Sequence, residues 1–145
     1  MSLPFIVFVF VLGAILINGA PSKGSESTKS LVRPCPDTPN CVSSRSPAGS
    51  HRMDPIPYQG SMENARRRLL VIVRALPRVS VVEDQVNYIK LEFRSSFFSF
   101  VDDVEFEFDD AKKVIDFRSA SRVGYYDFGV NRRRMQTIIR KFSGK

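Results

Sequence analysis

The densest run of hydrogen-bonding side chains in this sequence is Phe117–Arg134, F-R-S-A-S-R-V-G-Y-Y-D-F-G-V-N-R-R-R, with five arginines, two serines, two glycines, one Asp and one Asn. Arginine presents a planar fork that pairs bidentately with carboxylate or phosphate. A helix starting inside the run adds free main-chain N–H groups, which attract anions. Gly124 and Gly129 let the backbone approach a ligand closely. Two chemistries therefore stand side by side. One is an anion site made by Arg118, Ser121, Arg122, Arg132 and Arg133. The other is an internal polar network, with Asp102, Asp127 and Asn131, in which the arginines lock an acidic strand to the last helix.

The acidic partner is in the sequence. Asp102–Asp116 carries seven acidic residues and two lysines, whereas Arg118–Lys145 carries eight basic residues and one Asp. Arg118 and Arg122 are four apart, so on a strand they share a face and would oppose Asp103, Glu105 and Glu107 as cross-strand ion pairs. Asp102 alternates onto the apolar face, between Phe100 and Val104. A carboxylate there is costly unless paired, and the expected partner is Arg132 or Arg122. A bulge that turns Asp102 outward is the alternative.

Other chemistry is thinly supported. No G-x-S-x-G elbow is present, and the lone His51 lies in a loop-like stretch away from Ser119 and Ser121, so the roles of a nucleophilic hydrolase cannot be filled. Zinc wants four ligands, and the chain offers two Cys and one His; neither metal nor cofactor is expected. Cys35 and Cys41, in C-P-D-T-P-N-C, read as a disulfide if the chain is exported, with redox thiols as the other reading.

Export is suggested by the start of the chain. Leu3–Ile17 is an uninterrupted apolar run that ends near Gly19-Ala20. It is shorter than the roughly 20 residues of a membrane span and near the length of a signal-peptide core. Residues 1–20 are thus a signal peptide, or an anchor through residues 3–17, with a periplasmic or extracellular destination. The polar, Ser-rich residues 21–33 read as a flexible spacer, and residues 34–142 as a single domain. With a net charge of +7 and a pI near 9.8, partners of opposite sign come first: anionic lipid, polysaccharide or an acidic protein. The compartment argues against nucleic acid.

The positioning elements follow from periodicity. Residues 42–60, rich in Ser, Pro and Gly, read as loop. Ser61 caps a helix carrying Ala65, Leu69, Ile72, Val73 and Leu76, which ends at Pro77. Four strands come next: Val79–Glu83, Asn87–Arg94, Phe98–Phe108 and Val114–Val123. Phe93, Phe98, Phe106, Phe108 and Phe117 are expected in the core. Asp127 is the expected N-cap of a last helix with the stripe Val130, Met135, Ile138, Ile139 and Phe142. The sum is an α+β fold, α-β-β-β-β-α, with a four-stranded antiparallel meander and two helices on one face.

Three blocks, C-P-D-T-P-N-C-V-S-S (35–44), F-V-D-D-V-E-F (100–106) and R-S-A-S-R-V-G-Y-Y-D-F-G-V-N-R-R-R (118–134), resemble the signature of the domain of unknown function 1499 family. The resemblance implies a small exported or membrane-attached protein. It brings no activity and no catalytic residues. The function expected on these grounds is a non-catalytic exported module that binds an anionic ligand or partner. The alternatives are a structural or protein-interaction domain whose Arg–Asp network only stabilises the fold, or a small hydrolase.

Overall fold

The computed structural model describes residues 30–145 except Phe97. The signal or anchor segment 1–20 and spacer residues 21–29 lie outside the described residues. The elements run β1 (Cys41–Ser43), β2 (Ile56–Pro57), α1 (Met62–Arg74), β3 (Val79–Asp84), β4 (Tyr88–Arg94), β5 (Val101–Asp109), β6 (Val114–Ser121) and α2 (Val130–Ser143). All strand pairs are antiparallel. β3 to β6 form the meander, β1 lies on the far edge of β6, and β2 pairs with the other end of β6.

The sheet therefore has six strands, not four. The stretch expected to be loop supplies both extra strands: Cys41–Ser43 against Arg118–Ala120, and Ile56–Pro57 against Val114–Ile115. Three and two residues are too few to show a period, and Pro57 lacks the N–H of a ladder residue.

Alternation along β4, β5 and β6 puts Ile89, Leu91 and Phe93, Val104, Phe106 and Phe108, and Ile115 and Phe117 on one face, where all are buried. Both helices cover that face. In α1, Ala65, Leu69 and Val73 recur at one-turn spacing and are buried, and the Ser61 hydroxyl accepts from the N–H of Asn64. In α2, Met135, Ile138 and Phe142 do the same, and Gly144 at φ 73° closes the C-terminus.

Three expectations about the core fail, each for a local reason. Phe98 is 76% exposed and Phe100 is also exposed; β5 begins only at Val101, after the chain turns through Ser99 at φ 51°. Val130 is exposed, and the buried position at the start of α2 belongs to its neighbour Asn131. The last part of the expected spacer is ordered against the sheet. Val32 is buried, and the main-chain N–H groups of Leu31 and Val32 donate to the carboxylate of Glu107 on β5. Among the described residues packing against the sheet begins before Pro34, and the core cluster draws on residues from Val42 to Phe142.

Cys35 and Cys41 are disulfide-bonded, with sulfurs 2.09 Å apart. The bridge fixes the approach to β1 beside Ser46, whose hydroxyl accepts from the N–H of Cys35. Among the described residues, no helix is long and apolar enough to cross a membrane.

Candidate functional site

The arginine-rich run is divided between the two faces of the sheet. β6 alternates, so Arg118 points to the outer face while Ser119 and Ser121 point toward α2. On the outer face Arg118 donates to Glu105 at 3.3 Å. Arg122, just past the strand, makes a two-pronged contact with Asp103 at 2.8 Å on each prong and also reaches Glu92. The hydrogen bonds from Arg122 hold the Asp103 carboxyl below the usual range, against the opposing effect of burial, and the same bonds raise Arg122. Tyr88 is buried on this face and donates to Glu105 at 2.8 Å. Its burial, then that bond, pushes the phenol above the ordinary tyrosine range. These guanidinium groups are answered by carboxylates, and the outer face is a self-neutralising lattice.

The inner side of the same run is a hydrogen-bond hub. Asn131 is fully buried. Its side-chain oxygen accepts from Ser119 and Arg134, each at 2.6 Å, and its amide nitrogen faces the carbonyl of Asn40, the Ser121 hydroxyl and Asp127. Asp127 was expected as the N-cap of the last helix. The cap position is Gly129, with φ 75° and no side-chain bond of its own. Asp127 acts from two residues earlier, accepting from the N–H groups of Gly129 at 2.8 Å and Asn131 at 2.9 Å. Burial pushes its carboxyl up, but these donors outweigh burial and leave it below the usual range.

Asp102 sits on the inner face and is ion-paired. Its partner is Arg134 at 2.5 Å, not Arg132 or Arg122. Arg134 follows Asn131 by three residues and so shares its side of the helix, and its guanidinium also lies over the Phe93 ring at 4.6 Å. Arg132 instead binds main-chain carbonyls of Ser50 and Arg52. The five residues expected to form one anion site are therefore not brought together.

A different set converges. Between the first turns of α2, the turn into β3 and the loop joining β4 to β5 lies a cleft of about 470 Å³. Arg78, Arg94, Arg133 and Arg134 line it, with Ser95, Ser96 and Thr137 supplying hydroxyls and Asp102 the one carboxylate. Arg94 is paired with Glu92 and Arg134 with Asp102. Among the described residues, neither Arg78 nor Arg133 has a carboxylate partner. Each donates to a main-chain carbonyl, Arg78 to Arg94 at 3.2 Å and Arg133 to Phe128 at 2.7 Å. Only Arg133 of this set belongs to the sequence-based anion site. Arg78 and Arg94 carry no motif, since they meet only because β3 and β4 pair at that end.

The family model described as Protein of unknown function (DUF1499) matches residues 31–142. The chain belongs to this family. No curated protein and no solved structure matches it. The DUF1499 match begins at Leu31, beside the buried Val32, and ends at Phe142, the last buried side chain of α2. It thus encloses both the arginine cleft and the Asn131 hub. The groups of the cleft can bind and orient an anion. Its charged residues are four arginines and the ion-paired Asp102, beside the hydroxyls of Ser95, Ser96 and Thr137.

Proposed function

We propose that this DUF1499 domain is a non-catalytic module, acting outside the cytoplasm, that holds a phosphate-bearing ligand in the cleft between α2 and the β4–β5 loop. The observation that carries the reading is a cleft of ligand size whose lining includes four arginines, Arg78, Arg94, Arg133 and Arg134, and one carboxylate residue, Asp102. Arg78 and Arg133 are the recognition pair, because no carboxylate among the described residues pairs with them. Arg94 and Arg134 are neutralised by Glu92 and Asp102 and frame the cleft. The disulfide fits an exported protein, since such bridges persist in oxidising compartments. A second reading, a purely structural role, is favoured for Arg118 and Arg122 by their pairing with Glu105, Asp103 and Glu92. It does not extend to Arg78 and Arg133.

Thermal unfolding in the presence of glycerol 1-phosphate or inorganic phosphate tests the proposal. A ligand that binds only the folded state raises the melting temperature with concentration. The expected result is stabilisation that weakens with added salt and disappears in the double variant Arg78→Ala/Arg133→Ala. Equal stabilisation of that variant and the parent would remove the cleft from consideration.

A further inference from the structure

Two segments at the cleft end of the sheet carry exposed aromatic rings. Phe98 and Phe100 stand on the β4–β5 loop, and Tyr125, Tyr126 and Phe128 on the segment between β6 and α2. Among the described residues these five are the only exposed aromatic side chains. They share one end of the sheet, because the N–H of Arg122 donates to the carbonyl of Val101 where the two loops leave it. The rings pair with each other instead of the core: Phe98 with Phe100 at 5.4 Å, and Tyr126 with Phe128 at 5.1 Å. Phe128 adopts φ 54° and is 77% exposed. A bulky residue rarely takes that conformation, and nothing in the packing of Phe128 accounts for it here.

Exposed apolar clusters of this kind mark interaction surfaces. Phe and Tyr beside Arg is the composition of a membrane interface, where rings sit at headgroup level and guanidiniums meet phosphate. One of the two loops borders the cationic cleft, through Ser95 and Ser96 of the β4–β5 segment. In either reading of the apolar run Leu3–Ile17, signal or anchor, the chain meets a bilayer. We propose that this end of the domain docks onto an anionic membrane, with the two aromatic loops entering the headgroup–acyl boundary and a lipid phosphate taken between Arg78 and Arg133. The phosphate part rests on the function proposed above; the contact by the rings rests on their exposure alone.

The chain has no tryptophan, so one introduced Trp reports its own surroundings. In a chain beginning at Ser30, which keeps the Val42–Phe142 core cluster and whose folding is checked first by its unfolding transition, Phe98→Trp and Phe128→Trp place reporters on the two loops. Val86→Trp places a control in the β3–β4 turn at the opposite end, where Val86 is equally exposed. With vesicles of phosphatidylcholine and phosphatidylglycerol, the loop reporters should shift to the blue and be quenched by brominated acyl chains, while the control does neither. Phosphatidylcholine alone should give a much weaker response. Phe98→Ser/Phe128→Ser, surface changes that leave the core intact, should lower vesicle partitioning by about tenfold or more. Loop reporters that behave like Val86→Trp would overturn the membrane proposal, and if glycerol 1-phosphate still stabilised the domain, the cleft reading would survive alone. A blue shift that needs no vesicles and grows with protein concentration would also overturn it, in favour of a second copy of this chain. A full vesicle response retained by Arg78→Ala/Arg133→Ala would overturn the phosphate site and leave the aromatic contact supported.

Discussion

The two ends of the sheet are built on opposite terms. At one end the β5–β6 turn neutralises itself: Lys112 pairs with Asp109 at 2.6 Å, Lys113 with Asp110 at 2.7 Å, and the Tyr58 hydroxyl donates to Asp110 at 2.9 Å. The aromatic ring there, Tyr58, is buried against Phe108. At the other end lie the five exposed aromatic rings found among the described residues, and there Arg78 and Arg133 line a cleft with no carboxylate of the described residues paired to them. Both ends rest on the same phenylalanine layer, so the difference does not come from the fold. The rings and cations left uncovered at this end are the surface on which the proposed phosphate and membrane contacts would form.

The predictions begin with what the two ends share. Phe106 and Phe117 are fully buried at the centre of the sheet. Phe106→Ala should cost about 3–5 kcal/mol in denaturant unfolding and loosen both ends together. A loss under about 1 kcal/mol would contradict that placement.

Asn131→Ala separates the ends. It removes the hub that ties the start of α2 to Ser119, Ser121 and Asn40, leaving buried groups unpaired at about 1–3 kcal/mol each. Stability should fall by about 3 kcal/mol. Amide hydrogen exchange should quicken at 122–130 and stay unchanged at 110–113. Uniform quickening would mean that the hub supports the whole fold, and the contrast between ends would weaken.

The closed end should announce itself at high pH. Burial, then the bond to Asp110, pushes the Tyr58 phenol up to about 12. A group whose folded-state value is raised contributes stability that is fully present below its unfolded value and lost as pH rises through the folded one. Stability should therefore decline between about pH 10 and pH 12. Tyr58→Phe should flatten part of that decline, the remainder belonging to Tyr88, which is raised as well. On the acid side the sign reverses. Asp103 and Asp127 are lowered, so their contribution is present above the ordinary carboxylate range near 4 and is lost below it. An unchanged alkaline slope in Tyr58→Phe would show that the phenol is freer than its burial implies.

The smallest effect is expected from Arg122→Ala. Its guanidinium is partly exposed, and without it Asp103 still has Lys90 and Glu92 still has Arg94 as cationic neighbours. The melting temperature should barely move, and phosphate stabilisation should not change. Loss of that stabilisation would relocate the anion site to the outer face.

The regular part of this fold was legible because the alternation in residues 88–93 and 104–108 and the one-turn spacing of Ala65, Leu69 and Val73 are each long enough to carry a period. The breaks came where chain geometry overrode pattern. Phe98 keeps the parity of β5 but lies beyond the turn at Ser99, and no composition rule separates it from Phe106. Arg118 and Arg122 were rightly put opposite the acidic strand, since parity alone decides that. The cleft was not readable, because Arg78, Arg94 and Arg133 come from three segments joined only by strand pairing and helix docking. Ser121 and Arg122 adjoin in sequence yet serve opposite faces, a division that the density of donors along the chain does not reveal.

The central claim is that the uncovered end binds phosphate through Arg78 and Arg133. Its most direct test is residue-resolved: amide chemical shifts of the ¹⁵N-labelled domain during titration with glycerol 1-phosphate. Saturable shifts at Arg78, Ser95, Ser96 and Arg133, with Asp110–Lys113 and Arg122 unmoved, are the result this account predicts. Shifts centred on Arg118 and Arg122, or no saturable shift at any residue lining the cleft, would contradict it.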